Sequence, residues 1–98
     1  MKASLTKQEF IKRFKESPTY SSAFSDEGLS ALFDYFTGLE EGLGEEIEFD
    51  IVAICGDYHE YKDIESFNYD YNTNYTHYNE IEDRFIIPVN GKRFIVEI

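Results

Sequence analysis

Two histidines stand beside carboxylates at helical spacing in this chain, in His59-Glu60-x-x-Asp63 and His77-x-x-Glu80. An imidazole and a carboxylate so placed could ligate a divalent metal or act as an acid–base pair. No Cys/His cluster accompanies either pair, and 20 Asp and Glu residues among 98 generate such spacings readily. No metal is expected on that ground. The nucleophile candidates are Cys55 and Ser25. Cys55 ends the apolar run Val52-Ala-Ile-Cys55 and reads as a small buried hydrophobe, while Ser25 reads as a helix cap. No His-Asp relay accompanies them, and no glycine-rich phosphate loop is present. The sequence therefore predicts no catalytic residue, no metal, no cofactor and no enzymatic activity.

The carboxylates themselves are the stronger chemical signal. Residues 1–16 carry five basic groups and two acidic ones; Asp26 to Asp83 carry 17 carboxylates against a single cation, Lys62; the tail from Arg84 returns to +2. The net charge of −11 is thus a −16 block set between two mildly basic ends. Crowding like charge into a folded chain costs stability through self-repulsion, so the block calls for a use. Glu46, Glu48 and Asp50 alternate with apolar residues, and on a strand they would project from one face about every 6.6–6.8 Å. That interval resembles the spacing of phosphates along a nucleic-acid strand. Glu27, Asp34 and Glu41, one every seven residues, and Asp57, Glu60, Asp63, Glu65 and Asp70 would extend the ladder. The plain alternative is that each trio is simply the wet face of an amphipathic element.

Six of the eight tyrosines fall between residues 56 and 83, mixed with Asn, Asp and Ser. This is the composition of adaptable binding surfaces, because Tyr offers large contact area at low side-chain entropy cost. Tyr58, Phe67 and Tyr71 are expected to anchor the segment to a core; Tyr61, Tyr69, Tyr75 and Tyr78 are the candidates for partner contact. The acidity excludes direct binding of nucleic acid, since phosphate neutralisation needs Lys and Arg. No apolar run approaches the ~20 residues of a membrane span, and the first residues lack the apolar stretch of a secretory signal. With one cysteine there is no internal disulfide, and a cytoplasmic location is expected.

The elements that must position these groups form a single domain over 1–98. Thr6-Lys-Gln-Glu9 is a capping box, with Leu5 and Phe10 as a hydrophobic staple, and Ser17-Pro18 ends the helix it opens. Ser25 caps a second helix over roughly 26–41, whose stripe Leu29, Leu32, Phe33, Phe36 and Leu39 faces inward, with Gly42 and Gly44 as stops. The alternation from Glu46 to Ile51, continued by the apolar run to Cys55, predicts a strand. A short helix is expected over 63–71, with Asp63 or Ser66 near its start. Asn90-Gly91 predicts a terminal hairpin with a type I′ turn, pairing Ile87 with Phe94 and Phe85 with Val96. Pro88 makes the 84–89 strand an edge and the last strand central, with 46–55 on its far side. The predicted class is α+β: two N-terminal helices packed on a small three-stranded antiparallel sheet that ends in the C-terminal hairpin.

The stretch Phe24-Ser-Asp-Glu-Gly-Leu-Ser-Ala-Leu-Phe-Asp-Tyr-Phe, followed by Gly-Glu-Glu-Ile-Glu-Phe-Asp-Ile-Val-Ala-Ile-Cys55, resembles a recurring group of small acidic proteins of bacteriophages and mobile elements. The resemblance covers about the middle third of the chain and the final strand pattern. It implies an anti-defence role, such as an anti-CRISPR or anti-restriction protein, and brings no catalytic motif. The segment Tyr69–Tyr78 lies outside it.

The expected function is inhibition of a CRISPR effector or restriction enzyme, with the acidic surface occupying a basic DNA or RNA channel. The expected contact residues are Glu27, Asp34, Glu41, Glu46, Glu48, Asp50, Asp57, Glu60, Tyr61, Asp63, Tyr69, Asp70, Tyr75 and Tyr78, on a monomer or weak dimer. A different class, a small adaptor using the Tyr-rich loop on a partner that does not bind nucleic acid, fits the same residues.

Overall fold

In the computed structural model, which describes residues 5–98, the first helix begins at its capping box. Thr6 Oγ1 accepts from the Glu9 N–H at 3.2 Å and Glu9 Oε1 accepts from the Thr6 N–H at 3.3 Å. Helix α1 (Lys7–Glu16) ends at Ser17, whose extended backbone precedes Pro18. Both staple residues, Leu5 and Phe10, are buried. Helix α2 (Asp26–Leu43) opens on Ser25 and closes on Gly44 in the left-handed region at φ +71°, so Gly42 lies inside the helix. Lys7 and Lys15 of α1 reach Asp34 and Asp26 of α2 at 2.9 and 2.8 Å.

The strand expected over 46–55 does not form. Residues 46–50 are extended but pair with no strand, and Ile51–Asp57 is a helix, α3. The alternation was correctly a burial signal: Ile47 and Phe49 turn towards the core while Glu46, Glu48 and Asp50 face water. What holds the segment is Phe49, edge-on to Phe10 and Phe14 at 5.4 and 6.0 Å, and the Ile47 N–H, which donates to Glu40 Oε2 at 2.6 Å, rather than a neighbouring strand. Asp50 then caps α3, its Oδ1 accepting from the Ala53 N–H at 3.1 Å, and the apolar run continues as a helix that buries Ile54.

The sheet's first strand is instead β1 (Tyr58–Tyr61). Helix α4 (Ile64–Tyr71) follows, capped by Asp63, then a single 3-10 turn at Tyr78–Glu80, and the hairpin β2 (Ile86–Asn90) and β3 (Arg93–Glu97). The order β1-β3-β2 is antiparallel throughout, with β3 central and the Pro88 strand at an edge. The hairpin register differs from expectation: Ile87 faces Ile95 and Pro88 faces Phe94, with an irregularity between Pro88 and Asn90. The two-residue loop is Gly91-Lys92, with Gly91 at φ +45°, rather than Asn90-Gly91. An extra residue in β2 displaces the turn by one.

Both faces of the sheet are covered, which explains why Phe94, Ile95 and Val96 are all fully buried. Ile95, Ile87 and Tyr58 join Phe10, Phe14, Leu29, Leu32 and Phe36 in the core under α1 and α2. Phe94, Val96 and Tyr61 join Phe67 and Ile81 in a second core under α4. Burying side chains of this kind is worth about 1.5–3 kcal/mol each. The α+β class with two N-terminal helices on a three-stranded sheet is as expected; the second layer, built from the Tyr-rich segment, is additional.

Candidate partner-binding surface

Glu60 lies on β1, on the sheet face that meets the start of α2. Its side chain is only 3% exposed. Oε1 accepts from the Ser25 N–H at 3.0 Å, Oε2 accepts from Ser25 Oγ at 2.7 Å, and Arg93 Nη1 of β3 donates to Oε2 at 2.6 Å. Ser25 Oγ in turn accepts from the Gly28 N–H at 3.0 Å. In α1 the capping box is completed by the glutamate three residues into the helix; in α2 that position is Gly28, and Glu60 supplies the carboxylate from another element. A negative group there also suits the positive end of the helix dipole. Glu60 is therefore consumed by the fold and is not a surface contact. Its neighbour His59 is exposed, so the spacing His59-Glu60-x-x-Asp63 brings no ligands together.

Beside this lock, Glu60, Tyr61, Asp63, Tyr69 and Asp70 line one groove of about 680 Å³ with Lys62, Glu65, Ser66 and Arg93. Five of the expected contact residues thus converge, although Tyr61 is buried and acts as a wall. Burial, and then the Asp70 carboxylate, push the Tyr61 phenol above its ordinary range. Asp63 spends one oxygen on the Ser66 N–H at 2.9 Å, a bond that holds its carboxyl below the usual range. Tyr69, at 89% exposure, stands fully clear of the body.

The remaining tyrosines turn inward. Tyr71 stacks on Phe67 at 4.5 Å, Tyr75 lies 6.2 Å from the same ring, and Tyr78 packs against Phe94 at 5.2 Å. Asn68 organises the loop between them: its Nδ2 donates to the Tyr75 carbonyl at 2.8 Å, and its Oδ1 accepts from Thr73 Oγ1 and the Tyr75 N–H. The second histidine pair is also structural, since Glu80 Oε1 accepts from the N–H groups of Thr76 and His77 and from Thr76 Oγ1. The Thr76 hydroxyl and these backbone bonds hold the Glu80 carboxyl low. Among the described residues no three His, Cys, Asp or Glu side chains gather to hold a metal ion. Cys55 is half-buried and burial raises its thiol pKa, the opposite of an activated nucleophile.

The densest charge sits elsewhere, around the end of α2. Glu41, Glu45, Glu46, Glu48 and Asp50 are all exposed, and the sequence holds no Lys or Arg between Lys15 and Lys62. The last turn of α2 carries no basic residue, so Glu41, Glu45 and Glu46 lie at the negative end of the helix dipole, while Asp50 caps α3. Glu27 and Asp34 lie further back along the same helix, and Asp57 is exposed at the end of α3. The three arginines, by contrast, lie against the body. Arg93 binds Glu60, Arg13 lies over Phe49 at 5.8 Å, and Arg84 lies over Tyr71 at 4.5 Å.

Sequence reasoning did not find Arg93 or Gly28, or the partnership of Ser25 with Glu60. The available signal was a glycine at the third position of a well-capped helix, where a good helix former is ordinarily favoured. No family model, no curated protein and no solved structure matches the chain. No described helix is long and apolar enough to cross a membrane.

Proposed function

We propose that the protein is an inhibitor carried by a phage or mobile element, which seats its acidic surface in the basic DNA or RNA channel of a host CRISPR effector or restriction enzyme. The observation that supports this reading best is the run from Glu41 to Asp50. Five exposed carboxylates gather there, three of them around an already negative helix end, with alternate residues outward along the segment that follows. A basic channel relieves that repulsion, and long-range attraction steers the encounter. Tyr69, standing clear beside Asp70 and Glu65, supplies an aromatic anchor suited to an Arg side chain of the partner. The internal packing of Tyr71, Tyr75 and Tyr78 leaves little of the Tyr-rich loop for an adaptor surface.

The test is affinity capture from a host lysate at low salt, followed by competition with DNA or RNA for the captured protein. A captured nuclease released by nucleic acid and by ~0.5 M salt supports the proposal. A partner held equally in both, or one that binds no nucleic acid, overturns it.

A further inference from the structure

The outer face of α2 contains two glycines four residues apart, Gly38 and Gly42, and a β-carbon at either would meet no atom within 4 Å. The fold does not need them: no neighbour crowds them, and neither has a positive φ. Each weakens the helix relative to alanine, in the longest helix of the chain. With Tyr35, Leu39 and Leu43 they form an apolar groove of about 450 Å³. Leu43 is 65% exposed, and the ring of Phe85, itself 45% exposed, lies 5.0 Å from that of Tyr35.

The charge around the groove selects its occupant. Asp34 lines it, and Glu41 follows Gly38 by one helical turn on the exposed face. Among the described residues the cation paired at this edge is Lys7, bound to Asp34. A nucleic acid would bring phosphates to carboxylates and leave Leu43 wet. A second copy, also at −11, would set the same carboxylates against themselves. An amphipathic helix with an apolar seam and basic flanks satisfies both the floor and the rim.

We propose that the α2 groove docks a basic amphipathic helix of a partner protein, with Gly38 and Gly42 letting the two backbones approach closely. This surface meets the acidic run only at Glu41, Gly42 and Leu43 and is distinct from residues 45–50 and from the Tyr69 groove, and the proposal does not depend on the inhibitor reading.

The probe is an 18-residue peptide with Leu and Ala at i, i+3, i+4, i+7 spacing and Lys or Arg elsewhere. Its controls are a scrambled peptide of equal charge and a version with Glu replacing the basic residues. Amide chemical-shift mapping should place the first peptide on Tyr35, Gly38, Gly42 and Leu43, with the scrambled and acidic peptides binding at least tenfold more weakly. Gly38→Leu and Gly42→Leu fill the groove and should each lower affinity tenfold or more. Gly38→Ala and Gly42→Ala should raise the melting temperature while weakening the peptide. Equal binding of the scrambled peptide would mean charge alone acts, and would overturn the proposal. So would shifts confined to residues 46–50, absence of binding at millimolar peptide, loss of thermal stability in the alanine variants, or a concentration-dependent dimer through this face.

Discussion

A β-carbon on Gly28 would fall on the carboxylate of Glu60, so the third residue of α2 is glycine because a residue of β1 occupies its side-chain space. Three parts of the chain meet at this point: the cap of α2, the strand β1, and Arg93 of β3. The same amino acid has the opposite meaning at Gly38 and Gly42, where the space is open.

Gly28→Ala therefore should destabilise, although alanine is the better helix former by ~1 kcal/mol. Moving Glu60 breaks two bonds to Ser25 and strands a buried carboxylate, a loss of about 2–3 kcal/mol after allowing for the partial exposure of Arg93. Chemical denaturation measures it. A variant as stable as the parent would mean that Glu60 has another comfortable position.

Asp50→Ala tests the helix that replaces the expected strand. Removing the cap of α3 should cost ~1 kcal/mol and lower helical circular dichroism slightly. An unchanged helical signal with unchanged stability would show that Asp50 does not set where α3 begins.

Alkaline titration reports on the two buried phenols. Burial is the main cause that raises Tyr58 and Tyr61, and Glu97, accepting from the Tyr58 hydroxyl at 3.0 Å, adds to it for Tyr58. Their ionised forms are disfavoured in the folded state. Stability from these groups is present below the ordinary phenol value of ~10 and is lost as pH rises through it towards the raised one. Absorbance at 295 nm should show two of the eight tyrosines ionising only with loss of native circular dichroism. All of them titrating together in a folded protein would contradict this.

Salt should act with opposite signs on folding and on binding. Screening the −16 block at pH 7 should raise the melting temperature between low and ~0.5 M salt. Over the same range, association with a basic partner should weaken. Against such a partner Tyr69→Ala should shorten residence tenfold or more, ~1.4 kcal/mol, whereas Glu48→Gln should mainly slow association. Surface plasmon resonance separates the two rates, and an unchanged dissociation rate for Tyr69→Ala would remove its role as anchor.

Much of the framework was legible because its signals are local. Thr6 with Glu9, Ser25, Asp63 and the stripe from Leu29 to Leu39 each declare a helix within one or two turns. The alternation at 46–50 was read correctly as alternate burial but wrongly as a strand. Periodicity reports which side chains go inward, not whether a neighbouring backbone is there to pair with. The role of Glu60 was illegible for a related reason. Nothing near it in sequence distinguishes it from the outward carboxylates, and its partners Ser25 and Arg93 are brought to it only by the sheet. The aromatic residues divided similarly: Tyr58, Phe67 and Tyr71 anchor as expected, but Tyr61, Tyr75 and Tyr78 are drawn in by Asn68 and Phe94, leaving Tyr69 outside.

The central place of β3 governs how the molecule comes together in time. Among the described residues neither β1 nor β2 has any other strand beside it, so no ladder exists until Arg93–Glu97 arrives. The lock at Glu60 spans 35 residues to Ser25 and 33 to Arg93, and these contacts carry the loop-closure cost of distant partners. Sheet and cap must therefore form in one cooperative event, slower than the helices that flank them. In hydrogen exchange the amides of all three strands and the first turn of α2 should open together, at the free energy of global unfolding.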